Sequence, residues 1–336
     1  MAHKIGKRTI IFDEKPAILS YGSVVGKKEH EGPLSNEFDK YTIDSYFGEK
    51  TFEKAESKLQ KTAVNTALEK AGLKGSDIDF ILAGDLLNQC IGSSFGLRDF
   101  GIPFVGLYGA CSTMALSSIL ACLLVDSGVA KNAAAVTSSH FCSAERQYRF
   151  PLDYGSQRTP TAQWTVTGSG ALLISKDGKG PYISSAAIGE IEDYGITDIN
   201  NMGAAMAPAA ASTLKHYLED TGTSPEDYDV IYTGDLGYVG TNLLYELLKR
   251  DGIDITCRHS DCGLIIFDRE KQDVHAGGSG CGCSAAVLCS FIMHRFEDGD
   301  FKNILFMSTG ALMSPTSSFQ GESIPSIAHL INIKKD

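Results

Sequence analysis

The chain has 336 residues, 43% hydrophobic and 21% charged, enough to bury a sizeable core in one large domain or two intimate halves. Its formal net charge of −11 argues against a nucleic-acid binder and against simple electrostatic docking on anionic lipid. Nine cysteines, an odd number set mostly in apolar patterns, read as reduced thiols and not as a disulfide framework.

The N-terminal "MAHKIGKRTIIF" is basic but has no apolar h-region, so no signal peptide is expected. Residues 53–71, with Leu59, Ala63 and Ala67 spaced between Lys and Glu, read as a surface helix and nothing more. A β-rich run, "DFILAGDLL", follows at 79–87. Residues 105–124, "VGLYGACSTMALSSILACLL", run from a β-type stretch through a tight Gly-Ala-Cys corner into a helix. That helix, 112–126, is apolar nearly all round and should be buried. Its longest apolar stretch, Met114 to Val125, is too short to span a bilayer. Strands are expected within 164–175 ("WTVTGSGALLIS") and 180–189 ("GPYISSAAIG"), and a second buried helix at 283–296.

The chain repeats itself. "DVIYTGDLG" at 229–237 matches "DFILAGDLL" 150 positions earlier, and each follows a helix ending near a Gly. "EDGDFKNILFMSTG" at 297–310 matches "DSGVAKNAAAVTSS" at 126–139, 171 positions earlier. Carried back, the second offset lays "ACSTMALSSI" (110–119) on "CGCSAAVLCS" (281–290). The expected architecture is α/β: two duplicated β-α halves, 1–178 and 179–336, with buried central helices in layered packing. Alternating strands and helices imply crossover units and largely parallel pairing.

Cys111 stands at the start of the first central helix, where free N–H groups and the helix dipole favour a thiolate. A duplicated β-α chain with such a cysteine resembles the thiolase superfamily, and its ketoacyl synthase III-like branch most of all. "GACSTMALSS" is similar to that branch's nucleophile segment, and "WTVTGSGALLIS" to its glycine-bearing strand. The resemblance implies a thioester-attacking Cys with a His and an Asn that bind the carbonyl oxygen and manage protons. Laid on this sequence, the His motif becomes "GDLG", so the His position falls on Gly234 and Asp235 follows. The Asn position falls on Gly282 in "CGCSAA". Glycine supplies neither a proton nor a side-chain donor, and loss of one oxyanion donor alone costs about 2.7–4 kcal/mol. Asp235 has the wrong charge sign for an oxyanion. Three readings of Cys111 stay open: a pocket-lining residue, a structural thiol, and a nucleophile with relocated partners, His140 and His275 being the candidates.

The retained Cys, the "GDLG" and the stretch "SSHFCSAERQYRFPLDYGSQRTPTAQWTVTGSGA" together resemble the stage V sporulation protein AD family of spore-forming Firmicutes. That resemblance implies no catalysis. It implies binding of dipicolinic acid (pyridine-2,6-dicarboxylic acid), with calcium left open, for uptake into the developing spore and movement at germination. It also implies a homodimer, peripheral to the spore inner membrane and working beside membrane proteins of the same operon.

A flat aromatic dianion calls for guanidinium groups, a helix N-terminus and an aromatic or apolar wall. The implied ligand set is Cys111, Ser112, His140, Arg146, Arg149, Arg158, Asp235 and Gly282. Thr113 stands beside Ser112 at the helix start, and Tyr148, Phe150 and Tyr154 are interleaved with the arginines. The alternative for those arginines is pairing with Glu145 and Asp153 at a subunit contact. Asp85 and Asp235, at duplicated strand ends, are the hard-oxygen candidates if calcium enters, or structural carboxylates if it does not. Cys257, His259 and Cys262 could begin a metal site, but no second well-spaced ligand pair follows. The glycine-rich "HAGGSGCGCSA" (275–285) lacks the Lys of a phosphate-binding loop and reads as a close helix approach.

Overall fold

The structure is a computed structural model and describes residues 1–149 and 157–336. Ten strands form the continuous path of a 13-stranded main sheet: β1 (Ala17–Val25), β2 (Phe80–Asp85), β3 (Phe104–Gly106), β4 (Asn132–Ser139), β5 (Gly168–Ser175), β6 (Tyr182–Ala187), β7 (Val230–Thr233), β8 (His259–Asp261), β9 (Asn303–Ala311) and β10 (Ser326–Lys334). Their spatial order is β8-β7-β9-β10-β6-β1-β5-β4-β2-β3. Read outward from the centre, β1-β5-β4-β2-β3 and β6-β10-β9-β7-β8 are the same pattern twice. The two sets meet through one pair, Tyr182 opposite Ala17.

The pairing is mixed, which corrects the expectation of largely parallel strands. The outer three strands of each set are parallel. β5 runs antiparallel to both β1 and β4, and β10 to both β6 and β9. The register gives the reason. Ser139 at the end of β4 faces Gly168 at the start of β5, and Ala311 at the end of β9 faces Ser326 at the start of β10. Each connection leaves and re-enters the sheet at the same end, so no crossover helix is needed. The described residues of the two excursions, 140–149 with 157–167 and 312–325, contribute Tyr148, Arg149, Gln163 and Met313 to the candidate site.

Two long helices pack on the sheet at repeat positions: α1 (Phe52–Ala71) and α4 (Met202–Thr221). They share the same punctuation. Thr51 and Asn201 accept from Lys54 N and Ala204 N at the N-caps, and Gly72 and Gly222 close the helices at φ +66° and +64°. Helix α1 is more than a surface helix. Its inner face buries Glu56 and Gln60 as well as Leu59 and Ala63. Glu56 accepts from Ser138 Oγ (3.2 Å) and Ser143 Oγ (2.7 Å), and Gln60 donates to Gly84 O (3.1 Å). This polar patch ties α1 to β4 and to α3 (Phe141–Tyr148).

The central helices are buried as expected. Helix α2 (Thr113–Asp126) packs on β2, β4 and β5 of its own set and on β9 and β10 of the other. Its repeat mate α5 (Cys281–Val287) is buried along its whole length, then loosens into a π turn, Leu288–Ile292, before continuing to Asp298. Among the described residues no helix is long and apolar enough to cross a membrane. The expected strand at 164–175 divides in two: Trp164–Thr165 pairs with Gly278–Ser279, and β5 begins at Gly168.

Candidate functional site

The corner before α2 is a tight turn locked by its own hydroxyls. Ser112 Oγ donates to Gly109 O (2.6 Å), and Thr113 Oγ1 donates to Ala110 O (2.7 Å). Ala110 takes φ +50°, a left-handed conformation that disfavours a side chain by about 1 kcal/mol or more. The result is that Cys111 sits at the base of a pocket, 8% exposed. The same locking means that Ser112 and Thr113 spend their hydroxyls on the turn. Ser112 does not line the pocket.

Helix α5 starts opposite. Asp235, just beyond β7, caps its entry: Oδ2 accepts from Gly280 N (2.8 Å) and Ser279 Oγ (3.2 Å), and Oδ1 from Thr309 Oγ1 (2.8 Å). Asp235 also interacts with the Cys111 thiol. Burial raises the Asp235 carboxyl to about 6 against these hydrogen bonds. Burial likewise pushes the Cys111 thiol well above its ordinary value, and the Asp235 charge adds to the effect. The helix N-terminus alone would favour thiolate; here desolvation and a neighbouring carboxylate outweigh it. Asp85, the repeat mate of Asp235, is also used internally, accepting from Leu87 N (2.9 Å) and Ser93 N (2.7 Å).

Gly282 lies against β4 and β5. Its N–H donates to Ser139 Oγ (3.0 Å), and a Cβ there would fall 2.4 Å from Gly168 O and 2.7 Å from Ser139 N. No side chain fits. Gly234 is less crowded, with its nearest neighbours 3.2 Å from a Cβ.

The pocket above Cys111 encloses about 770 Å³ counting its open mouth. Tyr108 and Tyr148 form one wall, their hydroxyls 3.3 Å apart, with Tyr148 also donating to Leu86 O. Arg149 stands at the mouth. Its guanidinium grips Glu145 through two bonds (2.8 and 3.0 Å) and reaches Asn200 Oδ1 (2.8 Å). Gln163 and Met206 also line the pocket.

Of the sequence-expected residues, the structure therefore brings together Cys111, Arg149 and Asp235, with Gly282 in the adjoining helix turn. It places the others elsewhere. His140 is buried beside a second pocket, held by Ser45 O (2.7 Å) and Cys142 N (3.1 Å). His275 is bonded to Thr159 O and Asp273. Arg146 makes an exposed pair with Glu53 (2.9 Å). Arg158 pairs with Asp273 (2.6 Å) and lies over the Trp164 ring. Phe150, Asp153 and Tyr154 lie outside the described residues. Cys257 is exposed, Cys262 buried, and His259 sits between Thr233 Oγ1 (2.9 Å) and Tyr245 (3.0 Å). Sequence reasoning missed Tyr108, Gln163 and Asn200. They come from three separate connections, and only the polar Gln163 beside a β-rich run offered a signal.

The whole-chain architecture is that of known condensing enzymes. Aquifex aeolicus 3-oxoacyl-[acyl-carrier-protein] synthase III superposes with a TM-score of 0.58 at 13% identity, covering 95% of this chain and 99% of that one. Cerulenin-bound Xanthomonas campestris OleA gives 0.60 at 14% identity, covering 99% and 98%. These likenesses establish a thiolase-like fold. Sequence goes further. The stage V sporulation protein AD family model matches residues 6–334. The Bacillus subtilis (strain 168) stage V sporulation protein AD is 46% identical over 324 residues, 96% of each chain. The chain belongs to the stage V sporulation protein AD family and is a sporulation protein with a thiolase-like fold.

Proposed function

We propose that this chain is a non-catalytic binding protein for dipicolinic acid, serving its uptake into the developing spore and its movement at germination. One observation carries the non-catalytic part: Cys111 lies in a pocket but is buried beside Asp235, and burial, with the Asp235 charge adding to it, pushes its thiol well above the ordinary value. A nucleophilic cysteine needs the opposite environment. Gly234 and Gly282 stand where the resemblance to ketoacyl synthase III puts the His and the Asn, and the space at Gly282 admits no side chain. The scaffold has kept a pocket and lost a reaction.

The ligand reading rests on family membership and on the pocket's fit to a flat aromatic acid. Tyr108 and Tyr148 supply an aromatic wall, and Arg149 with Asn200 supplies a polar mouth. The homodimer, the peripheral position on the spore inner membrane and the contact with membrane proteins of the same operon belong to this proposal. So does the possible presence of calcium, for which Asp85 and Asp235 were the candidates; among the described residues, the oxygens of both are already occupied by backbone and hydroxyl donors.

The test is calorimetric titration with dipicolinate, with and without calcium, against isophthalate as the control lacking the ring nitrogen. Saturable and selective heat supports the proposal; its absence sinks the ligand assignment. Incubation with an acyl-CoA followed by mass spectrometry addresses the competing acyltransferase reading. A stoichiometric adduct on Cys111 overturns the non-catalytic assignment.

A further inference from the structure

Gln163, a residue of the pocket wall, carries a hydrogen-bond acceptor that none of the described residues satisfies. Gln163 is 8% exposed and lines the pocket. Its Nε2 donates to Asp235 O and Gly278 O, both at 2.7 Å. Those two carbonyls set the amide's orientation, because a flipped amide would press Oε1 against both of them. Oε1 is therefore the acceptor, and among the described residues it is buried with no donor. An orphaned buried acceptor is uncommon in folded chains, and a donor from outside the chain, a water or a ligand group, relieves it; of the orphaned side-chain atoms among the described residues, this one belongs to a residue that lines the pocket above Cys111.

The pocket's charge points the same way. Its only charged lining residues among those described are Glu145 and Arg149, and they neutralise each other. Asp235 lies just beneath. A dianion entering this space meets no net countercharge and would lose its hydration without compensation.

We propose that Gln163 sets the specificity of the pocket: it requires a donor on the ligand, so the pocket takes an aromatic dicarboxylate carrying one proton and one negative charge. The inference rests on the ligand reading above and adds the protonation state to it. The carboxylate lies at the Arg149 end, and the N–H or O–H is directed to Gln163 Oε1. Ligand binding above the acid's own titration range then takes up a proton from solution.

Two synthetic ligands separate the possibilities on the unaltered protein. Picolinate bearing a 6-methoxycarbonyl group and picolinate bearing a 6-(N-methylcarbamoyl) group have the same charge and nearly the same shape. They differ in one N–H donor. The amide is expected to bind about tenfold tighter or more, since the ester leaves the buried acceptor unpaired. Equal affinities overturn the inference and leave the binding reading standing. No heat with dipicolinate itself overturns that reading instead. If the added methyl group keeps both analogues out, dipicolinate titrated at pH 8 in two buffers of different ionisation heat decides. Uptake of close to one proton per ligand supports the inference, and no uptake overturns it.

Discussion

Gly282 offers a sharp test of how the central helices are packed. In an open helix, Gly→Ala is stabilising by about 1 kcal/mol, because alanine loses less backbone entropy. At Gly282 the added Cβ would sit 2.4 Å from Gly168 O, 2.6 Å from Ser139 Oγ and 2.7 Å from Ser139 N. Two of these atoms are backbone in adjacent buried strands, so they cannot move aside without disturbing the β4–β5 ladder. Overpacking of this kind costs about 1–3 kcal/mol, and an immovable contact belongs at the top of that range. The sign therefore reverses: Gly282→Ala should destabilise by about 3 kcal/mol, a fall in Tm of roughly 4 °C for a chain of this length. Gly282→Asn, with a larger side chain in the same space, should do no better. Gly234→Ala is the internal control. Its nearest contacts at 3.2 Å can be relieved by a few tenths of an ångström, so its cost should stay within about 1 kcal/mol. Thermal and urea unfolding of the three variants would measure this. Equal costs at the two glycines, or a Gly282→Ala variant as stable as the parent, would show that the close approach of α5 to β4 and β5 is wrong.

Replacing Arg149 by Met should weaken dipicolinate binding by about 10–100-fold in calorimetry, as expected for a charge-assisted contact. Arg146→Met, in an exposed pair with Glu53, should leave the affinity within about twofold. Cys111 should react slowly with iodoacetamide at pH 8, and Asp235→Asn should speed the reaction by removing the charge that opposes thiolate; mass-spectrometric timing of the adduct gives the answer, and an unchanged rate would refute the coupling. Glu29 is buried, accepts from Thr167 N (2.9 Å), and burial raises its carboxyl from 4.5 to about 7. The folded state thus keeps this proton where the unfolded chain has lost it, so stability falls as pH rises from about 4.5 to 7. The loss is ~3 kcal/mol at 1.36 kcal/mol per pH unit. Glu29→Gln should flatten that decline in urea melts, and an unchanged slope would remove Glu29 as its source.

Much of the fold was legible because it is local and repeated. The two "GDL" strand ends, the paired helix caps and the apolar run after Cys111 are short-range patterns, and duplication wrote each of them twice. The mixed pairing was not legible. Whether a strand returns parallel or antiparallel depends on where the connection re-enters the sheet, and residues 140–167 carry no signal of that. The same holds for Glu56 and Gln60, which look solvent-facing in a window of Lys and Glu. The hydroxyls of Ser138 and Ser143, supplied from 82 and 87 positions away, make the burial of Glu56 tolerable, and Gly84 O, Ser93 Oγ and Ser138 Oγ take the Gln60 amide hydrogens.

The candidate site divides in the same manner. The amino-acid sequence by itself determined that a cysteine would stand at a buried helix start, that Gly234 and Gly282 would stand at the strand end and helix start of the second repeat, and that arginines and aromatic residues would follow nearby. Tertiary structure decided which of them share a pocket. Arg149 turns inward while Arg146, one helical turn earlier, pairs on the surface, because α3 ends between them. Asp235 reaches Cys111 across 124 positions because the two repeat copies place their helix starts face to face. Nor could the chain's order reveal that Gln163 would have an acceptor left unpaired among the described residues. That depends on two carbonyls, from Asp235 and Gly278, arriving on the other side of its amide. A residue's type sets what it can donate or accept; only the folded neighbourhood sets what is left over for a ligand.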